Sequence, residues 1–210
     1  MNPGRVAAMT WPATERYELM GAPGGLGFVQ DLLNTRPVGR PRQADLLGDL
    51  DSAQRWLDAA LESWSAMNDA AQDRIVIRER DLEPLRDLRA DLHALLATRA
   101  DPSLAAARMH SATMGARVDP DGTVKLEPRA EGWRRVAAIV LIEAFVAQQQ
   151  DIWRRFKICR NERCGGAFYD RSRNTSAVWH DARLCGNAVN LRASRARRRK
   201  PESVPARGED

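Results

Sequence analysis

The stretch KICRNERCGGAFYDRSRNTSAVWHDARLCGNAVNLRASRARRRK, residues 157–200, contains every cysteine of the 210-residue chain. Its metal-binding side chains fall in two close pairs, Cys159 with Cys164 and His180 with Cys185. Tetrahedral sites are commonly built from two such pairs, because each pair comes from one tight turn and the intervening segment brings the turns together. The spacing therefore predicts a metal site whose four ligands all come from the protein.

The ligand set predicts zinc in a structural role. Three thiolates and one imidazole suit Zn²⁺, and four protein ligands leave no position for a reacting water. A disulfide framework would need an even number of cysteines and a secretory signal, whereas the chain has three cysteines and an N-terminus without an apolar signal core. The remaining alternative is three unrelated buried cysteines and a surface histidine.

The segment between the two pairs predicts a second hairpin. We expect Phe168-Tyr169 and Val178-Trp179 to form two short strands around a turn at residues 172–175. Gly165-Gly166 allow the backbone to turn so that its amides face the sulfurs. Cys185 is then expected to open the final helix.

That final helix is predicted to be basic on its outer side. Val189, Ala193 and Ala196 share one helical face, which we expect to pack on the zinc loops. Arginine can hold phosphate or read guanine, so the basic residues of this region are predicted to contact nucleic acid. The predicted contacts are Arg171, Arg173, Arg192, Arg195, Arg197, Arg198, Arg199 and Lys200, with Lys157, Arg160 and Arg163 extending the patch.

The charge distribution separates the two parts of the chain. Residues 151–210 hold 15 Lys or Arg and 7 Asp or Glu, whereas residues 1–150 hold 18 and 21. A solvated surface would explain a basic segment by itself. Beside a mildly acidic body, a compact basic segment is typical of an appendage that binds polyanions.

Apolar periodicity predicts a helical body before this segment. The expected elements are a short apolar element at 28–35, an amphipathic helix at 45–61, a helical region at 69–100, a hairpin at 117–126 and an apolar helix of about 20 residues from Trp133. Asp45 is placed to cap the second of these, and Pro84 predicts a kink or a fresh start near Asp81. Trp56 and Trp64 are expected in the core.

We therefore predict a mainly α fold with a small β-hairpin (α+β), in which a helical N-terminal body precedes a small zinc-finger module ending in a basic helix. The predicted division is a flexible segment at 1–24, an α-rich domain at 25–150, the finger with its helix at 151–200 and a disordered tail at 201–210. The body has no catalytic constellation, so we predict no enzyme activity. No signal or bilayer-spanning stretch is found, and we expect a cytoplasmic location without membrane contact.

The finger resembles a known family. A cysteine pair, then FYDRSRN, then Trp179 with a ligand, then Cys185-Gly186-Asn187 and an arginine-rich helix, is similar to the CGNR zinc finger of bacterial transcription regulators. The resemblance covers residues 157–199. His180 stands where that finger usually has a fourth cysteine, and Ala188 stands where the name-giving motif has arginine.

The body resembles the ABATE domain that often precedes this finger. The resemblance rests on residues 31–35 (DLLNT), Trp56-Leu57, residues 85–96 and the hairpin near Gly122. It implies a domain that senses stress or binds a ligand.

Together these observations predict a zinc-dependent DNA-binding transcription regulator. Its N-terminal domain is expected to respond to a small molecule or to form a homodimer. Two other classes remain open, a zinc-stabilised adaptor whose basic helix docks an acidic protein and an RNA-binding protein. A metalloenzyme fits least, because no coordination position is left open.

Overall fold

The computed structural model describes residues 10–37, 42–68, 73–98 and 111–199. Its helices are α1 (Pro12–Glu15), α2 (Leu26–Asn34), α3 (Leu50–Asn68), α4 (Glu79–Ala97), α5 (Gly132–Gln149) and α6 (Asn187–Arg199). Its strands are β1 (Met114–Val118), β2 (Val124–Pro128), β3 (Phe156–Ile158) and β4 (Ala167–Tyr169). The mainly α class with small antiparallel hairpins, ending in a helix, is confirmed.

Helix α3 starts five residues later than the apolar pattern predicted. Its first turn is capped by Asp49, whose carboxylate accepts a hydrogen bond from the Ser52 amide at 2.8 Å. Asp45 is not the cap, because its carboxylate accepts from the Leu47 amide and pairs with Arg89 of α4 at 2.6 Å. Asp45, predicted to cap α3, therefore connects the segment before α3 to α4.

Helix α4 makes the fresh start that Pro84 predicted near Asp81, although the proline itself lies inside the helix. The helix begins at Glu79, and Asp81 in its first turn accepts a hydrogen bond from the Arg78 amide. The proline removes one helical hydrogen bond, but Leu82 and Leu85 on either side are buried and hold the segment in place. Residues 73–78, predicted as helix, are not helical; residues 69–72 and 99–100 of that prediction lie outside the described residues.

The core of the body lies between α2, α3, α4 and α5. Trp56 and Trp64 are buried in it, as predicted. The described part of the predicted flexible segment, residues 10–24, also contributes buried side chains, among them Trp11 and Tyr17. None of the helices among the described residues is long and apolar enough to cross a bilayer.

The two hairpins have different surroundings. Strands β1 and β2 pair from Met114↔Pro128 to Val118↔Val124, close to the predicted position, and their tip is exposed. Strands β3 and β4 pair from Phe156↔Tyr169 to Ile158↔Ala167, and this second hairpin packs on α2 and α4. Val178-Trp179 is not a strand, so the predicted pairing around residues 172–175 is wrong: β4 finds its partner before the first cysteine pair.

Candidate metal centre

The four predicted metal-binding side chains meet in one place. One ligand atom from each of Cys159, Cys164, His180 and Cys185 lies within 4.8 Å of every other. The Nδ1 atom of His180 is 3.3 Å from Cys164 Sγ and 3.6 Å from Cys185 Sγ. A tetrahedral zinc with usual bond lengths would place such atoms about 3.5 to 3.8 Å apart. The cluster therefore has the size and the donor atoms of a four-ligand metal centre.

The first cysteine pair is formed by a tight turn that is centred on Asn161. The Asn161 carbonyl accepts hydrogen bonds from the amides of Cys164 at 2.7 Å and Gly165 at 3.0 Å. Gly165 has φ +62°, a left-handed conformation that favours glycine. The following amide, of Gly166, then donates to Cys164 Sγ at 3.4 Å, as the glycine pair predicted.

The second pair is formed by a π-helical turn at Ala182–Gly186. The Asp181 carboxylate accepts from the Leu184 amide, and the Asp181 carbonyl accepts from the Cys185 amide at 2.9 Å. Helix α6 begins at Asn187, so Cys185 lies just before the helix and does not open it. The metal centre and the basic helix are thus joined without a linker.

The thiols of the cluster influence one another's ionisation. A hydrogen bond from the neighbouring Cys164 thiol lowers the pKa of Cys159. Donating this bond, together with burial, raises the pKa of Cys164. None of the three cysteines is in a disulfide, and a cation at the centre would favour the thiolate of each, which is the form that binds metal.

The metal centre is attached to the body through backbone atoms of β4. Asn34, buried in α2, accepts a hydrogen bond from the Ala167 amide at 2.8 Å and donates one to the Ala167 carbonyl at 3.0 Å. Gln30, also buried, donates to the same carbonyl at 3.2 Å. The two amide side chains bond the strand as a neighbouring strand would.

Two rings of the body lie against the cysteine and histidine turns. His93 Nε2 of α4 is 2.9 Å from the Gly165 carbonyl and 2.6 Å from Arg36 Nη1. Tyr17 lies edge-on to His180, with 6.4 Å between ring centroids. Both metal-binding turns therefore contact the N-terminal body directly.

The loop between the two pairs is held by a buried ion pair. Lys157 Nζ donates to the Asp170 carboxylate at 2.7 Å and to the carbonyls of Thr175 and Ala177. Asp170 is fully enclosed and also accepts from the amides of Ser172 and Ala177. Burial opposes ionisation, but the Lys157 ammonium and the amide bonds prevail and lower the pKa of Asp170 to about 2.

Comparison with known families matches the two parts separately. Residues 155–198 match the CGNR zinc finger. Residues 27–148, more than half of the chain, match the ABATE family, described as "putative stress-induced transcription regulator". The chain belongs to the ABATE family. The resemblances seen in the sequence are thereby confirmed, and a comparison with curated proteins gave no match.

The basic residues of this ABATE protein fall into two groups. Arg173, Arg195, Arg197 and Arg198 are exposed, the last three on α6. Two others bind the protein itself: Arg192 donates to Asn161 Oδ1 at 2.7 Å, and Arg171 donates to the Gly21 carbonyl at 2.8 Å and lies over the ring of Tyr169. Arg199 is the last residue of α6, and Lys200 lies outside the described residues.

The packing face of α6 differs from the predicted one. Ala193 and Ala196 are exposed, whereas Ala188, Val189 and Arg192 are partly buried. Arg192 therefore does not point away from the zinc loops as predicted, because the acceptor on Asn161 draws it onto the first turn. Lys157, predicted to extend the basic surface, donates its hydrogen bonds inside the loop.

Sequence reasoning missed Asn161, Asp170 and Asn34 as residues that build the site. Asp170 stands inside the FYDRSRN motif, so its position in that motif was an available signal. Asn34 stands in the DLLNT segment that carries the resemblance of the body, so it had the same signal. Asn161 offered none, because nothing in the sequence shows which distant group a buried amide will meet.

Proposed function

We propose that this ABATE protein is a zinc-dependent DNA-binding transcription regulator of the cytoplasm, and that it is not an enzyme. The observation that carries the proposal is the four-residue cluster placed immediately before α6, whose Arg195, Arg197 and Arg198 are exposed. Zinc bound by Cys159, Cys164, His180 and Cys185 would fix the start of this helix. The body would respond to a small-molecule ligand or form a homodimer.

The proposed zinc site is tested through His180. Because either imidazole or thiolate can complete a zinc tetrahedron, His180→Cys should keep one zinc per chain. His180→Ala should lower zinc affinity by orders of magnitude and unfold the finger, here defined as residues 156–199. Elemental analysis and competition with a chromophoric chelator measure both effects. Unchanged metal affinity in His180→Ala would show that the histidine is a bystander.

The proposed DNA contact is tested by salt dependence. If the exposed arginines neutralise roughly five phosphates, a log–log plot of duplex affinity against salt should have a slope of about −4 to −5. A triple charge reversal at Arg195, Arg197 and Arg198 should abolish duplex binding without releasing zinc. A charge reversal at Arg55, an exposed arginine of the body, should leave duplex binding unchanged. Equal binding by the wild type and the α6 variant would remove this helix from the mechanism.

A second candidate is a protein–protein adaptor, favoured by two apolar side chains on the outside of the finger. Leu184, in the π-helical turn, and Leu191, on α6, are 63% and 52% exposed. Exposed leucines are common in protein contacts and contribute little to phosphate binding. If the protein is an adaptor, neither the wild type nor the double variant Leu184→Ser with Leu191→Ser should bind duplex DNA. The double variant should also lose binding to the protein partner.

A further inference from the structure

A cavity of about 510 Å³ lies in the body between residues 74–81 and the start of α5. None of its lining residues belongs to the finger. Two acids line it, Asp81 and Glu131, together with the half-buried Trp133. Five arginines face these two acids: Arg74, Arg78, Arg80, Arg134 and Arg135.

The acids do not balance this positive charge. The Asp81 carboxylate already accepts the Arg78 amide at the start of α4, and its side chain is buried there. Arg74 is held at the edge by Asp58 of α3 at 2.8 Å. The Arg134 guanidinium lies 5.0 Å from the centroid of the Trp133 ring. Because Asp58 compensates Arg74, the other four arginines and the two acids leave the lining with an excess of two positive charges.

The beginning of α5 adds to this potential. Its first turn contains Arg134 and Arg135 and no acidic residue, and Glu131 before it makes no side-chain capping bond. Cations at the N-terminal end of a helix are unfavourable, because the helix dipole is positive there. The amides of that first turn, like the arginines, are donors suited to an oxyanion.

We propose that this cavity binds a small phosphorylated molecule, whose phosphate oxygens accept hydrogen bonds from the lining arginines and from the first amides of α5. The planar guanidinium matches two phosphate oxygens at once, and a cavity of this volume is in the usual range of about 300 to 1,000 Å³ for small-molecule sites. The inference rests on the ligand-responsive role proposed for the body and does not require DNA binding by the finger.

The proposal is tested by isothermal titration of the full-length, zinc-loaded protein with inorganic pyrophosphate. We expect one site per chain, with affinity lowered roughly tenfold by Arg80→Gln and again by Arg134→Gln, since each removes a charge-assisted hydrogen bond. The matched control is Arg195→Gln with Arg197→Gln on α6, which should bind pyrophosphate as the wild type does. Far-ultraviolet circular dichroism verifies that each variant is folded.

Three results would overturn the proposal. The first is that the wild type does not bind pyrophosphate. The second is that the α6 control loses binding while the variants at Arg80 and Arg134 keep it. The third is an equal loss in the α6 control and the body variants, which would indicate general attraction to a basic surface. Duplex affinity is measured on the same proteins without pyrophosphate. If the wild type does not bind DNA but its pyrophosphate binding is weakened by the body variants, only the proposed DNA-binding role of the finger is contradicted.

Discussion

The helical body and the finger differ most in what fills their interiors. The body buries a large apolar cluster that includes Phe28, Leu57 and Ile139. The finger has a small cluster of its own, in which the buried members are Cys159, Phe168 and Cys185. Two of these three are cysteines of the metal centre. The body can thus be stabilised by apolar burial, whereas we expect the finger to depend on an ion held by its cysteines.

The apolar cluster of the body extends into the finger. Phe156 and Ala167 of the finger's hairpin belong to the apolar cluster of the body. Buried amides of α2 bond the backbone of β4 at the same place. The difference teaches that a metal-dependent module can use part of a neighbour's core as its own support.

The largest expected effect follows from removing one thiol. Cys164→Ser should release zinc, which typically contributes on the order of 10–16 kcal/mol to folding a small finger, and residues 156–199 should unfold. The sequence alone predicts an unaffected body. Because β4 is bonded to α2 and β3 packs on α4, we expect amide exchange to accelerate in α2 and α4 as well, while the amides of β2, which packs on α5, stay protected.

Hydrogen exchange followed by mass spectrometry separates these outcomes, with His180→Cys as the control that keeps the metal. Stoichiometric zinc in Cys164→Ser would sink the ligand assignment. Unchanged exchange in α2 would show that the body is independent of the finger.

The next effect concerns the shared boundary itself. Asn34→Leu should leave the Ala167 amide buried without its partner, while Gln30 still donates to the Ala167 carbonyl. The expected cost is roughly 2 to 4 kcal/mol, from one unsatisfied amide and one lost bond to the carbonyl. Asn174→Leu, at an exposed position, is the matched control and should change stability little. Chemical denaturation of the zinc-loaded protein measures both. A cost near zero for Asn34→Leu would mean that water replaces the lost bonds.

A smaller effect belongs to the body alone. Burial raises the pKa of Asp31 to about 6, although its carboxylate accepts hydrogen bonds from the Thr14 amide and the Trp56 indole. An acid with a raised native pKa binds its proton more tightly when folded, so its contribution is fully present below about pH 4 and is lost as the pH rises through 6. The stability of the wild type relative to Asp31→Asn should therefore fall by about 2 to 3 kcal/mol between pH 4 and pH 7.

Denaturation of both proteins over this pH range measures the difference, which cancels the pH dependence of zinc binding common to them. Parallel curves for wild type and Asp31→Asn would contradict the raised pKa.

The smallest effect distinguishes two arginines of α6. Arg192→Ala should destabilise the finger by about 1 to 2 kcal/mol and speed zinc release, because its bond to Asn161 ties the helix to the first cysteine turn. Arg195→Ala, at an exposed position, should leave zinc release unchanged and flatten the salt dependence of duplex binding by roughly one unit. If Arg192→Ala reproduces the Arg195→Ala pattern, Arg192 is a phosphate contact and not a support.

The sequence predicted those parts of the molecule that depend on local chemistry. The spacing of Cys159, Cys164, His180 and Cys185 predicted the cluster, because each pair of ligands comes from one turn. Periodicity predicted the helices, yet it placed the start of α3 at Asp45, since Asp45 and Asp49 are both suitable caps. The local sequence pattern cannot decide which of these two aspartates caps the helix. The ion pair of Asp45 with Arg89 of α4 leaves Asp49 as the cap.

The parts that could not be predicted depend on distant partners. Apolar alternation offered Val178-Trp179 as a strand, but it carries no information on which strand β4 would pair with. In the same way, helical spacing separated the faces of α6 without showing which face meets the zinc loops. Arg192 was assigned outward for that reason, although its acceptor lies 31 positions earlier in the chain.

The buried amides of α2 have a consequence for the order in which the protein is synthesised. Asn34 leaves the ribosome 133 residues before its partner Ala167. Residues made earlier, Thr14, Met20 and Ala22, already bond the two buried amide side chains of α2. Until β4 is synthesised, however, the bonds to Ala167 must be replaced by water, so this side of α2 cannot become fully dry. The nascent body should therefore remain loosely packed at α2 until the finger's hairpin emerges, and its final compaction should coincide with the arrival of the cysteines.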